Sequence, residues 1–180
     1  MLPPGHMAAG YLVGTLVAKK FGMYLTPIEA KQLVWWGVFF GFAPDLDMFY
    51  SFFKERGLTI HNQKTDHRQY ISHVPVVWLA VSIVFMLSAP NLYWQLVGLL
   101  IWLGSWTHFV LDSIQYGIQW LWPMSNRLFA IRDIGKEMPA NNLNNVFKYW
   151  IKFLKDYSKS FALIFWLEIA LIIFVTAYML

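Results

Sequence analysis

An apolar run from Leu92 to Leu111 restricts most strongly what this chain can fold into. The run contains no Asp, Glu, Lys or Arg, and a helix of about 20 such residues is long enough to cross a bilayer. Phe161 to Leu180 is a second run of this kind, with Glu168 as its one charged residue. The whole chain is 58% hydrophobic and only 13% charged, whereas soluble domains average about 25% charged. The sequence therefore predicts an integral membrane protein.

A third apolar run, Val74 to Ala89, is shorter but has no charged residue, and two weaker candidates precede it, at Met7 to Ala18 and about Ala30 to Ala43. The first contains Gly10 and Gly14, and the second contains Gly37 and Gly41. Small residues at this spacing let two helices approach closely in lipid. We predict that these two helices pack as a hairpin. The predicted fold is all-α: a single integral membrane domain, residues 1–180, built as an up-and-down bundle of about five hydrophobic helices that ends with the span 161–180.

The segment 142–159 has an amphipathic pattern. Its apolar positions fall on one helical face, while Lys148, Lys152, Lys155 and Lys159 lie mostly around the other. This pattern is typical of a helix that lies in the headgroup layer. A helix that packs on the bundle from the cytoplasm would show the same pattern, and the sequence leaves both interpretations open.

The distribution of Lys and Arg predicts the orientation of the bundle. If five helices alternate in direction, the N-terminus and the loops 44–73 and 112–160 share one side, which carries eleven of these residues, against three on the other. The basic side of a membrane protein usually faces the cytoplasm. We predict a bacterial-type inner-membrane protein with a cytoplasmic N-terminus. The net charge of +4 is modest and forms no basic stripe, so no nucleic-acid partner is expected.

Residues that could bind a metal recur at the ends of the predicted helices. In an up-and-down bundle, the start of the first helix, the end of the second, the start of the third and the end of the fourth all meet at one end. The seven side chains at these positions are His6, Asp45, Asp47, His67, His73, His108 and Asp112.

The chain has no cysteine, so any metal would be held by imidazole and carboxylate groups. Each motif alone has an ordinary explanation: "PDLD" is a common helix-ending turn, and His108 and Asp112 could simply share a hydrogen bond. Their convergence favours a divalent-metal site, with zinc preferred, two ions possible, and Mg or Mn as alternatives.

Four motifs carry a family resemblance. "GHMAAG", "GFAPDLD", "HRQYISH" and "THFVLDSIQYGIQWLWP" resemble, in order and separation, the motifs of the membrane-bound metal-dependent hydrolase family typified by YdjM. That family looks related to the zinc-dependent phospholipase C and nuclease superfamily. The resemblance covers residues 5 to about 130 and implies that the same seven side chains are the family's polar motif positions. The commoner family form has one residue fewer before the second histidine of "HRQYISH", which leaves the role of His73 open.

The expected function is metal-dependent hydrolysis of a small phosphoester or lipid at the cytoplasmic membrane face. Asp45 or Asp47 could act as general base or could orient a histidine. Arg68 could bind a phosphate, contact a lipid headgroup or pair with Asp66. The alternatives are a non-catalytic membrane scaffold or regulatory protein with a structural metal site, and a metal transporter. Membrane lipid is the expected partner, and the sequence identifies no protein partner.

Overall fold

The computed structural model describes residues 2–54, 67–114, 117–131, 146–160 and 162–179. In this part of the chain the regular secondary structure is helical, apart from one isolated antiparallel bridge between Ile118 and Phe129. The α-helices are α1 (Pro3–Phe21), α2 (Pro27–Phe42), α3 (Asp47–Lys54), α4 (Pro75–Ser88), α5 (Leu92–Asp112), α6 (Val146–Ser160) and α7 (Ala162–Met179). The all-α prediction is confirmed.

Helices α1 and α2 form the hairpin that the glycine pairs predict. A Cβ atom built on Gly37 would lie 2.5 Å from the carbonyl oxygen of Gly10 and 2.7 Å from the Cα of Gly14. A Cβ on Gly41 would lie 2.7 Å from the carbonyl oxygen of His6. The two backbones therefore touch along the glycine face. Only residues without a side chain permit this approach.

Helix α5 is the centre of the molecule. It packs against α1, α2 and α4, and its residues Leu96, Val97, Leu100 and Ile101 are part of the buried core. Gly104 lies against Phe40 of α2. This central position explains why half of the apolar stretch of α5 is buried by other parts of the protein.

Helix length separates α5 from the other apolar helices. Among the described residues, only α5 is both long and apolar enough to cross a membrane, while Pro75–Ser88 and Leu163–Met179 are apolar but shorter. At 1.5 Å per residue α5 is about 32 Å long and the 14-residue α4 about 21 Å, against a hydrocarbon core of about 30 Å. The five-span topology therefore stays a prediction.

Helix α6 falls within the predicted amphipathic segment, whose first residues, 142–145, lie outside the described part of the chain. Tyr157 is buried and α6 packs on α7. Ile151 and Leu154 are exposed, as are Lys155 and Lys159. The helix thus packs on the bundle and also presents apolar and basic side chains at the surface.

Candidate metal centre

Polar side chains from five chain segments meet at one end of the bundle. His6 lies in the first turn of α1, Asp45 in the 3₁₀ turn Ala43–Leu46 after α2, and Asp47 at the start of α3. His73 ends the 3₁₀ turn before α4, and His108 and Asp112 lie in the last turns of α5. Six of the seven predicted side chains are therefore together. The seventh, His67, begins a 3₁₀ turn, and its side chain lies outside what the structure describes.

Two groups of three residues bring potential ligand atoms within 4.8 Å of one another. One group is His6, His108 and Asp112; the other is Asp45, His73 and His108. All five residues are buried. The groups share His108, which makes this residue the centre of the cluster.

The orientation of His108 is set by the backbone of α2. Its Nδ1 lies 3.0 Å from the carbonyl oxygen of Gly41. A carbonyl can only accept, so Nδ1 carries the proton and Nε2 carries the lone pair in the neutral ring. Nε2 lies 3.6 Å from Asp45 Oδ1 and 3.9 Å from Asp112 Oδ2, and it has no hydrogen-bond partner among the described residues.

His6 stacks on the ring of His108, with the two ring centroids 3.8 Å apart. Its Nε2 lies 3.1 Å from Asp112 Oδ1, but within the described chain neither ring nitrogen makes a hydrogen bond of acceptable geometry. Buried polar atoms without partners are costly and rare. The unpartnered nitrogens of His6 and His108 therefore suit metal ligands, because a bound cation would accept a lone pair from each ring.

Asp47 orients His73. Its Oδ2 lies 2.8 Å from His73 Nδ1 and accepts a short hydrogen bond from the hydroxyl of Ser72. This contact leaves His73 Nε2 facing Asp45 Oδ1 at 3.6 Å. The arrangement is that of a carboxylate that fixes the ring of a metal-binding histidine. The structure thus distinguishes the positions of Asp45 and Asp47, which the sequence could not: Asp45 faces the cluster, and Asp47 supports His73.

Burial and neighbouring groups shift two pKa values here. Burial alone would lower the pKa of His73, but hydrogen bonds and charge from Asp45 and Asp47 raise it to about 9. Burial alone would raise the pKa of Asp45, but the neighbouring His108 and His73 hold it below its usual value. In the metal-free protein, His73 is therefore protonated and Asp45 is ionised at neutral pH.

Arg68 is buried and pairs with Asp112. Its Nε donates to Asp112 Oδ2 over 3.1 Å, while Asp112 Oδ1 lies 3.1 Å from His6 Nε2. The predicted phosphate contact of Arg68 stays a prediction. What the structure establishes is that this guanidinium holds a carboxylate of the cluster.

The extra residue in "HRQYISH" does not remove His73 from the site. In a continuous helix, one additional residue would rotate His73 by about 100° away from its expected direction. The segment instead forms two short 3₁₀ turns, His67–Gln69 and Ile71–His73, with Tyr70 in an extended conformation between them. This break absorbs the additional residue, and His73 reaches the cluster.

Sequence reasoning missed two groups that shape the site. One is the carbonyl of Gly41: the sequence indicated this residue only for helix packing, and a backbone acceptor leaves no sequence signal. Ser72 is adjacent to His73, and its hydroxyl could have been considered as a support for a neighbouring carboxylate. Both act on the orientation of a histidine ring.

A comparison with known protein families gives a match over the entire chain. The model for the YdjM inner membrane protein family matches residues 1–180. The chain belongs to the YdjM inner membrane protein family. This confirms an inner-membrane protein and extends the resemblance of residues 5–130 to the full length. No curated protein and no solved structure matches the chain significantly.

Proposed function

We propose that this YdjM family member is a membrane-bound metal-dependent hydrolase that acts on a phosphoester at the cytoplasmic membrane face. The observation that carries the proposal is the buried cluster centred on His108, in which the ring nitrogens of His6 and His108 Nε2 have no hydrogen-bond partner among the described residues. Buried polar groups normally pair, so these nitrogens support a bound cation.

The ligand groups of the cluster favour a divalent ion. The carboxylates of Asp45 and Asp112 converge with three imidazole rings in a buried environment. Several ligand groups of these two kinds, held within reach of one position, suit a divalent cation. Imidazole and carboxylate ligands together suit zinc better than magnesium or calcium.

The shared histidine favours one ion over two. Both ligand groups use His108, and its Nδ1 faces the Gly41 carbonyl. Nε2 has one lone pair and binds one metal at a time. A second ion would have to do without His108, so we propose one ion bound by His108 together with His6, Asp112, Asp45 and His73.

The residues divide into ligands and supports. Asp47 fixes His73 through Nδ1, and Arg68 fixes Asp112, so both act through another residue. Asp45 is one of the proposed ligands, and its lowered pKa keeps it ionised at neutral pH, which suits a metal ligand. The bound ion would supply Lewis acidity toward a phosphoryl oxygen and would acidify nearby water.

The membrane face follows from the position of the cluster and from α6. The cluster lies where α1 and α4 begin and α5 ends, which corresponds to headgroup depth if these helices cross the bilayer. Helix α6 exposes Ile151, Leu154, Lys155 and Lys159, which suits an anionic lipid surface. We therefore propose a substrate presented by the membrane. Relationship to the zinc-dependent phospholipase C and nuclease superfamily is part of this proposal.

The test measures metal content and phosphate release. The detergent-purified protein should contain about one equivalent of zinc per chain by elemental analysis, and should release phosphate or headgroup from mixed lipid vesicles unless a chelator is present. His108→Ala should remove both properties. His61→Ala is the matched control, because His61 belongs to none of the motifs. Activity that persists in His108→Ala and in chelator would overturn the proposal.

A structural metal site is the second candidate, and one observation favours it. Five members of the cluster are at most 5% exposed, whereas catalytic metal sites keep a position open for water or substrate. The two functions differ in whether an added ligand can bind to the metal. In the cobalt-substituted protein, inorganic phosphate should change the visible spectrum if a coordination position is open, and should leave it unchanged if the shell is closed.

A further inference from the structure

Glu168 is a buried carboxylate in an otherwise apolar helix. It lies in α7 and is 1% exposed. Its Oε1 accepts a 2.7 Å hydrogen bond from the backbone N–H of Leu2, and its Oε2 accepts a 3.0 Å hydrogen bond from the hydroxyl of Tyr157. Glu168 thus joins α7 to α6 and to the start of α1.

The start of α1 has no cap of its own. No side chain of its first turn makes a capping hydrogen bond, and no acidic residue occurs there. Pro3 and Pro4 have no N–H group. Leu2 is the N-cap residue, whose carbonyl accepts from the N–H groups of Gly5 and His6. Its own N–H donates to Glu168, so a carboxylate from another helix does what the Glu at the third helical position does in a capping box.

Gly5 makes room for this carboxylate. A Cβ atom at Gly5 would lie 2.5 Å from Glu168 Oε1 and 2.8 Å from its Cγ, distances that real Cβ atoms do not show. Any side chain at this position would therefore displace Glu168. The glycine in the motif "GHMAAG" has a role beyond helix–helix packing.

We propose that Glu168 is a positioning residue that clamps the first turn of α1 and thereby sets His6 in the metal centre. Glu168 holds Leu2, and Leu2 holds the N–H of His6. The imidazole of His6 then stacks on His108 and faces Asp112. The effect on metal binding rests on the proposed function, whereas the clamp itself does not.

The test compares four variants of the full-length protein in detergent. Glu168→Leu removes both acceptors, and Glu168→Gln keeps an oxygen that can accept from Leu2. Gly5→Ala displaces the carboxylate without changing it. Gly22→Ala is the matched control, because a Cβ there meets nothing within 4 Å. The readouts are Co²⁺ affinity, the visible spectrum of the cobalt protein, and hydrogen exchange of the first turn of α1 in the metal-free protein.

We expect Glu168→Leu and Gly5→Ala to weaken Co²⁺ binding by about 10–100-fold, as loss of a supporting residue does at other metal sites, and to change the cobalt spectrum. Both should also speed exchange of the Gly5 and His6 amides. Glu168→Gln and Gly22→Ala should stay close to wild type in all three measurements. If Glu168→Leu fails to fold, the comparison of Gly5→Ala with its control Gly22→Ala tests the clamp.

Unchanged exchange and unchanged cobalt binding in Gly5→Ala and Glu168→Leu would overturn the clamp. A wild-type protein that binds no cobalt would overturn the proposed function, and exchange of the first turn would still test the clamp by itself. The two failures are therefore distinguishable.

Discussion

Replacing His108 by Ala should abolish metal binding more completely than any other single substitution in the cluster. His108 Nε2 is the one nitrogen common to both ligand groups, so its loss leaves two separated pairs of ligands. Structural zinc binding contributes about 10–16 kcal/mol, and the five proposed ligands would share it, which gives roughly 2–3 kcal/mol per ligand. We expect affinity to fall by about 30–200-fold.

Asp47→Asn is the matched comparison, because Asp47 contacts the cluster only through His73. The amide keeps an oxygen for the His73 Nδ1–H and removes the charge. Loss of a supporting carboxylate at a metal site costs about 10–100-fold in affinity. The expected order of affinity is therefore wild type, then Asp47→Asn, then His108→Ala.

Zinc affinity is measured by competition with a chromophoric chelator in detergent, and stoichiometry by elemental analysis. Circular dichroism of both variants controls for loss of the helical fold. Two results would refute the reasoning: an effect of His108→Ala no larger than that of Asp47→Asn, or two ions per wild-type chain of which one remains in His108→Ala. Either result would mean that His108 is not shared.

Three further outcomes are expected. Gly37→Ala should lower the free energy of unfolding by about 1–3 kcal/mol, because its Cβ would lie 2.5 Å from the backbone of α1, and Gly22→Ala should leave it unchanged. Thermal unfolding in detergent measures both variants, and equal midpoints would contradict the packing. Zinc affinity should rise with pH until His73 loses its proton near pH 9, because the raised pKa of His73 makes zinc compete with a proton throughout the neutral range. Affinity is measured at several pH values on both sides of neutrality, and a plateau that begins just above neutral pH would contradict this. A single cysteine at the exposed Met23 should react with an impermeant label from outside intact cells, and one at the exposed Met124 should not. The reason is that the basic loops predict a cytoplasmic location for the loop that contains Met124. The reverse labelling pattern would show the opposite orientation.

The sequence predicted those features that depend on local pattern. Apolar runs located α1, α2, α4, α5 and α7 to within a few residues, because burial or lipid contact requires such runs in any packing. The glycine pairs predicted the contact of α1 with α2, since a close backbone approach requires residues without side chains. Placement of histidines and aspartates at helix ends then predicted which of them meet.

Features that depend on backbone geometry between helices could not be predicted. The roles of Asp45 and Asp47 differ because a 3₁₀ turn ends between them, and the two residues look equivalent in "APDLD". Contact between Glu168 and Leu2 joins residues near opposite ends of the chain, so no local pattern could indicate it.

Helix packing and the proposed metal centre depend on the same glycine, Gly41. Gly41 allows α2 to touch α1 at the carbonyl of His6, and its own carbonyl accepts from Nδ1 of His108. The close approach of these helices is therefore what brings the His6 ring to 3.8 Å from the ring of His108. Gly37, one turn earlier, contributes to the same approach without a contact to either ring, so its substitution separates the stability of the hairpin from the orientation of His108. The "GFAPDLD" motif thus combines a packing glycine, a backbone acceptor and two carboxylates of different roles within seven residues, because the proposed metal centre lies where α2 ends against α1 and α5.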